Sequence, residues 1–108
     1  MDCIFCSIIE KKAPAEIIYE DESSIVIKNI RPLAPIHLLV IPRKHIPSVN
    51  DIREADKDLV GGLFLSAQKA TEKINIKEIG YKLAVNVGKG GGQEIDHLHI
   101  HLLGGWQS

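Results

Sequence analysis

The order of the segments along this chain predicts an α+β domain, in which an antiparallel sheet of about five strands is covered on one face by one long helix. Three observations lead to this fold class. Four short apolar segments have the length of strands, one long stretch has helical periodicity, and a fifth strand-like segment alternates histidine with leucine or isoleucine. A length of 108 residues suits a single hydrophobic core. We therefore expect residues 1–108 to form one domain.

The first half of the chain predicts a short helix and three strands. The apolar stretch from Ile4 to Ile9 is compatible with a short N-terminal helix. Ile17 to Tyr19 and Ser24 to Lys28 are predicted to form a hairpin, because the acidic residues between them favour a turn. The prolines within residues 29–35 prevent regular strand pairing there. The apolar stretch from His37 to Ile41 then predicts a third strand.

The second half predicts the long helix and two further strands. Between Glu54 and Ile74 apolar residues recur at three- and four-residue steps, which produces one apolar stripe. The stripe consists of Leu59, Leu63, Ala67, Ala70 and Ile74. Gly61 and Gly62 each cost about 1 kcal/mol relative to alanine, which either close packing against the sheet or fraying of the helix would explain. The remaining strands are predicted over 82–87 and 97–103, with a glycine-rich loop between them.

Composition and charge argue against several classes of function. The net charge is −1, so the basic surface expected of a protein that binds duplex DNA or RNA is missing. The apolar runs are too short to span a membrane. The first residues lack the layout of a secretory signal, and a cytoplasmic location is therefore expected. In that compartment Cys3 and Cys6 are expected to be reduced or metal-bound.

The last predicted strand carries the pattern His97-Leu98-His99-Ile100-His101. Successive side chains of a strand point to opposite faces, so the three histidines should share one face at steps of about 6.6 Å. They could be surface residues, they could bind a metal such as zinc with a carboxylate such as Asp96, or one imidazole could be a nucleophile. The apolar opposite face and the preceding glycines favour the last two interpretations.

The pair Cys3-x-x-Cys6 has three interpretations. A redox pair would require a preceding strand, which the sequence does not predict. Two buried apolar side chains are the second interpretation. A structural zinc site is the interpretation that we favour, and two thiolates would need two further ligands to complete a tetrahedral site.

Together these residues resemble the histidine triad (HIT) family, whose pattern His-x-His-x-His-x-x has apolar residues at x and here spans 97–103. The resemblance covers essentially the whole chain, including Cys3-Ile4-Phe5-Cys6, residues 34–42 and Gly91-Gly92-Gln93. It is greatest to the branch of histidine triad nucleotide-binding proteins, which cleave nucleoside phosphoramidates and form homodimers. It implies a HIT-like fold, a homodimer, and a purine nucleotide such as AMP or GMP as ligand.

The resemblance implies that His99 attacks the α-phosphorus of a purine nucleoside 5′-phosphoramidate or a related nucleotidyl compound. Water would then hydrolyse the nucleotidyl-histidine intermediate. An imidazole can attack through one ring nitrogen when a backbone carbonyl holds its proton on the other. His101 and His37 would be the other catalytic residues. The residues implied to bind the nucleotide are Asn29, Ile30, Asn86, Gly92, Gln93, Glu94, His99 and His101.

Two positions depart from the usual pattern of the family. Asn29 stands where an acidic residue often accepts the ribose hydroxyls, and an amide makes a weaker contact than a carboxylate. Glu94 stands where serine or threonine usually passes a proton to the leaving amine. A carboxylate repels a phosphate unless it is protonated or turned away. The alternative function is therefore a nucleotide-binding regulatory protein with little catalytic activity.

The resemblance also supplies the two missing metal ligands. His45 matches a metal-binding position of HIT proteins that carry the cysteine pair, and His97 would complete a Cys₂His₂ set with Cys3 and Cys6. Such a zinc site is closed and structural, with no open position for water. It would tie the N-terminus to the strand that carries His99.

Overall fold

The computed structural model describes residues 3–106, so the ends of the predicted 1–108 domain lie outside the described residues. The predicted α+β class is confirmed, with five strands, one long helix and a short N-terminal helix within these described residues. No helix among residues 3–106 has the length and apolar character required to cross a membrane. The helices and strands are α1 (Ile4–Ile9), β1 (Ile17–Glu20), β2 (Ser24–Lys28), β3 (Ile36–Pro42), α2 (Lys57–Lys73), β4 (Tyr81–Ala84) and β5 (Ile100–Gly104).

The five strands form one antiparallel sheet in the order β1-β2-β3-β5-β4. The last strand therefore lies between β3 and β4. Its register places His101 opposite Leu39 and Leu103 opposite His37. Because directly opposite residues of an antiparallel pair lie on the same face of a sheet, this pairing brings His37 and His101 together.

The two faces of the sheet bury different sets of residues. The first face packs against α2, and the predicted stripe of that helix lies in its core, with Leu63, Ala67 and Ala70 fully buried. Leu98, Ile100 and Leu102 belong to the same core, as their alternation with the histidines predicts. The second face packs against α1 through the residues Cys3, Phe5, Ile8, Ile25, Ile27, Leu39 and Ile41.

Several predicted boundaries differ from the observed ones for local reasons. β5 begins at Ile100 instead of His97, because the His97 N–H bonds to the carbonyl of Ile95 instead of to a neighbouring strand. β4 ends at Ala84, and the chain then turns so that the Asn86 side chain can reach the glycine-rich loop.

The long helix begins later than predicted, and its two glycines are not explained by close packing, one of the two alternatives. Residues Glu54–Asp56 form a 3₁₀ turn before α2, and the Asp56 carboxylate accepts a hydrogen bond from the Arg53 N–H there. Close packing does not explain the glycines. A Cβ at Gly61 would meet nothing within 4 Å among the described residues, and one at Gly62 would meet only the Ser23 hydroxyl at 3.9 Å.

Candidate active site and metal centre

Three imidazoles meet on the face of the sheet that carries α1. His37 comes from β3, His101 from β5, and His99 from the residues just before β5. The ring centroids of His99 and His101 are 5.0 Å apart, and those of His37 and His101 are 5.1 Å apart. His99 and His37 are buried, whereas His101 is partly exposed. An anion that approaches this cluster therefore meets His101 with the least obstruction.

The hydrogen bonds of His99 determine which of its ring nitrogens is free. Its Nδ1 lies 2.7 Å from the carbonyl oxygen of His97, which can only accept, so Nδ1 carries the proton and donates it. The lone pair is then on Nε2. Burial lowers the pKa of His99, although the bond to the carbonyl opposes this effect, so the neutral form dominates at pH 7. Phe5 packs edge-on against the ring at 5.1 Å. His99 thus has the protonation state and the rigid support that a nucleophile requires.

A chain of hydrogen bonds determines the protonation state of His101 in the same way. The backbone N–H of Leu33 donates to Nδ1 of His37 (3.0 Å), so neutral His37 carries its proton on Nε2. That Nε2–H donates to Nδ1 of His101 (2.9 Å). His101 therefore carries its own proton on Nε2, where it can donate to an anion. Burial, together with the neighbouring His99 and His37, lowers the pKa of His101 to about 4, against the opposing effect of Glu94.

The resemblance implied that His37 is a catalytic residue, and the structure places it in a buried position in contact with His101. Its side chain is only 4% exposed, burial lowers its pKa, and both ring nitrogens have partners. Asn29 lies next to it, with the amide nitrogen 3.3 Å from His37 Nε2 and the amide oxygen accepting the Arg31 N–H. Ile30 is 91% exposed beside this pair. His37 therefore contacts His101 and has no free ring nitrogen for a ligand.

The glycine-rich loop has a defined conformation. Residues Lys89–Gly91 form a 3₁₀ turn, and Gly92 follows in the left-handed region at φ 83°. The Asn86 amide donates to the Gly91 carbonyl (2.6 Å). A Cβ at Gly92 would lie 3.3 Å from that amide nitrogen, so both conformation and space favour glycine there.

Gln93 occupies a different place from the one implied by the sequence. Both of its amide hydrogens are donated to backbone carbonyls, those of Pro47 (2.7 Å) and Ile95 (2.8 Å). Its side chain therefore has no hydrogen left for a phosphate. Glu94, in contrast, is exposed, and its charge is close enough to raise the pKa of His101.

Four side chains converge at the N-terminal end of the site as a candidate metal centre. They are Cys3, Cys6, His45 and His97, and one ligand atom from each lies within 4.8 Å of all the others. Cys3 Sγ is 3.3 Å from His97 Nδ1, and Cys6 Sγ is 3.4 Å from His45 Nδ1. The two Nδ1 atoms are 3.0 Å apart. The structure thus brings together all four residues that the sequence implied as ligands.

This arrangement fits a tetrahedral metal. Around zinc, with bonds of about 2.3 Å to sulfur and 2.0 Å to nitrogen, the ligand atoms lie roughly 3.3–3.8 Å apart. Separations of 3.0, 3.3, 3.4 and 3.7 Å within the cluster are close to this range. The Nε2–H of His97 donates to the carbonyl of Pro42 (2.8 Å), which leaves Nδ1 unprotonated and aimed at the cluster. A second hydrogen bond of this kind is usual for metal-binding histidines. His97 is fully buried, so a metal there would be shielded from solvent on that side.

Several contributors to the site were not identified from the sequence. Phe5 packs against the rings of both His97 and His99, at 5.8 and 5.1 Å. In the sequence, this role of Phe5 was indicated by its position between the two cysteines. The backbone groups of Leu33 and Pro42 orient imidazoles but carry no sequence pattern, because any residue supplies an N–H or a carbonyl oxygen.

Comparison with known proteins agrees with this geometry. The family described as "Scavenger mRNA decapping enzyme C-term binding" matches residues 2–107. The chain is 40% identical to the purine nucleoside phosphoramidase of Escherichia coli K12 over 104 residues, which cover 96% of this chain and 87% of that protein. Among solved structures, a HIT family hydrolase from Legionella pneumophila Philadelphia 1 superposes with a TM-score of 0.94 at 43% identity, over 98% of this chain and 95% of that one.

A Zn-bound histidine triad family protein from Mycobacterium smegmatis superposes with a TM-score of 0.86 at 33% identity, over 100% of this chain and 78% of that one. The fold, the histidine cluster and these similarities define the class of protein. The chain belongs to the histidine triad (HIT) family.

Proposed function

We propose that this protein is a hydrolase that cleaves purine nucleoside 5′-phosphoramidates, or related nucleotidyl compounds, through a covalent intermediate on His99. The observation that carries the proposal is the hydrogen bond from His99 Nδ1–H to the His97 carbonyl, because it leaves Nε2 as a free nucleophile. The similarity to the Escherichia coli phosphoramidase supports the choice of substrate class.

The reaction has two steps in this proposal. His99 Nε2 forms a bond to the α-phosphorus, the P–N bond to the leaving group breaks, and the amine departs with a proton that solvent supplies. Water then attacks the phosphorus, and the bond to His99 breaks to release the nucleoside monophosphate. The water that attacks in the second step returns one proton to solvent. The Nε2–H of His101 donates to a phosphoryl oxygen in both steps, since its Nδ1 is already occupied by His37.

The nucleotide would lie across the loops that flank the histidines. Ile30 is exposed for contact with the sugar or base, and Asn29 retains acceptor capacity on its amide oxygen. On the other side, Asn86 and the backbone around Gly92 would approach the phosphate. Glu94 would lie near the leaving group.

We propose zinc as the metal of the Cys3, Cys6, His45 and His97 cluster. Two thiolates and two imidazoles are a usual donor set for structural zinc, and such a closed site has no position for a reacting water. The role of the zinc would therefore be structural. It would link α1 to the backbone of His97, whose carbonyl orients His99.

The alternative function is a nucleotide-binding regulator that lacks efficient chemistry. The charge of Glu94 beside His101 favours it, because a carboxylate near the phosphate slows attack and binding of an anion. A hydrolase that uses a metal on the histidine run itself has less support. Within residues 3–106 the candidate metal cluster includes His97 but neither His99 nor His101.

Single-turnover mixing with a labelled adenylyl phosphoramidate tests the proposal. The wild-type protein should accumulate an AMP adduct at His99, identified by mass spectrometry of the trapped protein. His99→Asn should lower turnover by about 10³-fold or more, because the nucleophile is lost, and should retain AMP binding by calorimetry. Normal rates in that variant would show that the assignment of His99 as the nucleophile is wrong. Tight AMP binding by wild type without an adduct would support the regulator instead.

We also propose a homodimer and a cytoplasmic location. β4 lies at one edge of the sheet, and within the described residues its outer side pairs with no strand. Phe64 and Leu65 are neighbours on α2 and are 51% and 60% exposed, and contiguous exposed apolar surface often marks a site of association. Reduced, metal-binding cysteines are compatible with a reducing compartment.

A further inference from the structure

Gln93 is a buried polar side chain that the proposed reaction does not use. It is 9% exposed and makes three short hydrogen bonds, all to backbone groups. Its amide oxygen accepts from the Gly88 N–H (2.9 Å), and its amide nitrogen donates to the carbonyls of Pro47 (2.7 Å) and Ile95 (2.8 Å). An amide that is satisfied so completely by main-chain groups holds segments together.

The three partners of Gln93 belong to three parts of the site. Gly88 opens the glycine-rich loop. Pro47 follows the metal-ligand candidate His45 by two residues. Ile95 precedes the histidine run, and its carbonyl also accepts from the His97 N–H (2.9 Å). One side chain thus touches the loop that would face the phosphate, the loop that would face the metal, and the segment that leads to His99.

The contacts around Gln93 continue to the reacting nitrogen. The Leu98 N–H donates to the Ile46 carbonyl (2.6 Å), so the segments that carry Ile95 and Pro47 are joined both by this bond and by Gln93. Between Ile95 and Leu98 lies His97, whose carbonyl accepts from His99 Nδ1–H. A shift of this segment would change the direction of that carbonyl and with it the orientation of the His99 ring.

We propose that Gln93 is a positioning residue, which fixes the backbone that orients His99 and joins it to the phosphate-facing loop without contacting the substrate. The proposal rests on the proposed function, in which His99 is the nucleophile. It assigns Gln93 an effect on the chemical step that is larger than its effect on nucleotide affinity.

Two substitutions separate this effect from loss of fold. Gln93→Met keeps the volume and removes all three hydrogen bonds. Gln93→Glu keeps an acceptor for the Gly88 N–H and removes both donors. We expect each variant to form the AMP adduct about 10- to 100-fold more slowly, as misplacement of a reacting group by about 1 Å does. The AMP dissociation constant should change by a smaller factor than the rate.

Gln68 provides the matched control, because it is an exposed glutamine on α2, far in sequence from the site. Gln68→Met should leave adduct formation and AMP affinity at wild-type values. A second readout is independent of activity. The exchange rate of the His99 Nδ1–H, observed by NMR well below the unfolding temperature, should rise in both Gln93 variants and stay unchanged in Gln68→Met.

The outcomes are distinguishable from those of the proposed function. If folded Gln93 variants show wild-type adduct rates and wild-type exchange of the His99 proton, Gln93 has no positioning role. If both variants only lower the unfolding temperature, with the chemical step unchanged, its role is structural and the inference is overturned. If Gln93→Met does not fold, Gln93→Glu decides alone. If wild type forms no adduct, the proposed function fails, and proton exchange still tests the positioning.

Discussion

At the scale of single residues, backbone groups determine which ring nitrogen of each histidine in the site carries a proton. The His97 carbonyl leaves the lone pair of His99 on Nε2. The Leu33 N–H determines which ring nitrogen of His37 carries the proton, and His37 in turn determines this for His101. Neutral imidazoles in fixed tautomers suit a nucleophile beside a hydrogen-bond donor. The Pro42 carbonyl has the same effect at the candidate metal ligand His97, where it leaves Nδ1 free.

Asp21 shows how a single carboxylate can join two elements. It lies in the turn between β1 and β2 and accepts from the N–H groups of Ser23 and Ser24 (both 2.9 Å), from the Tyr19 hydroxyl (3.0 Å) and from Ser66 on α2 (3.2 Å). Burial raises the pKa of Asp21, but these hydrogen bonds outweigh burial and lower it to about 2. The ionised carboxylate therefore stabilises the fold.

We expect Asp21→Asn to lower the free energy of unfolding by about 2 kcal/mol at pH 7. Because the pKa is lower in the folded than in the unfolded state, the stabilisation is complete above the unfolded value of about 3.9 and is lost as the pH falls toward 2. Urea unfolding of both proteins between pH 7 and pH 2 measures the difference. Glu22→Gln, in the same turn but exposed, is the control. A difference between wild type and Asp21→Asn that stays constant over this pH range would contradict the interpretation.

At the scale of elements, α1 depends on contacts with distant parts of the chain. It has six residues, too few for a stable isolated helix. Phe5 packs against the His97 and His99 rings, and Cys6 lies 3.4 Å from His45 Nδ1. A metal bound at this cluster would connect α1 to the residues before β5 through coordination bonds.

Metal removal should therefore loosen α1 and the site together. We expect chelation to lower the unfolding temperature by at least about 5 °C, which corresponds to roughly 1 kcal/mol, and to increase hydrogen exchange in residues 4–9. Cys6→Ser should reproduce both effects, and Ser7→Ala, one position further along α1, should not. Metal analysis of protein never exposed to chelator checks the premise. Near-zero zinc per chain would refute the zinc proposal.

At the scale of the whole molecule, the position of β5 between β3 and β4 assembles the site. This order puts His101 beside β3 and leaves β4 at an edge. An unpaired edge strand is a ready surface for pairing with another chain. Exposed apolar side chains on α2 are consistent with an assembly larger than the monomer.

We expect light scattering at micromolar concentration to give the molar mass of a dimer. Leu65→Glu should shift the protein toward monomer, because it would place a charge in an apolar interface. Val49→Glu is the control, at an apolar side chain that is 39% exposed and lies outside α2 and β4. A monomeric wild-type protein, or a dimer insensitive to Leu65→Glu, would exclude this interface.

Local patterns in the sequence were sufficient to determine the fold class, the α2 stripe, the alternation of histidine with apolar residues and the cysteine pair. They were sufficient because periodicity decides which face of a strand or helix is buried. The tertiary structure alone decided that His37 donates to His101, that Gln93 joins three backbone segments, and that packing does not require the α2 glycines. These features depend on residues separated by tens of positions and on backbone groups that every residue possesses. Only the path of the chain brings such groups within hydrogen-bond distance.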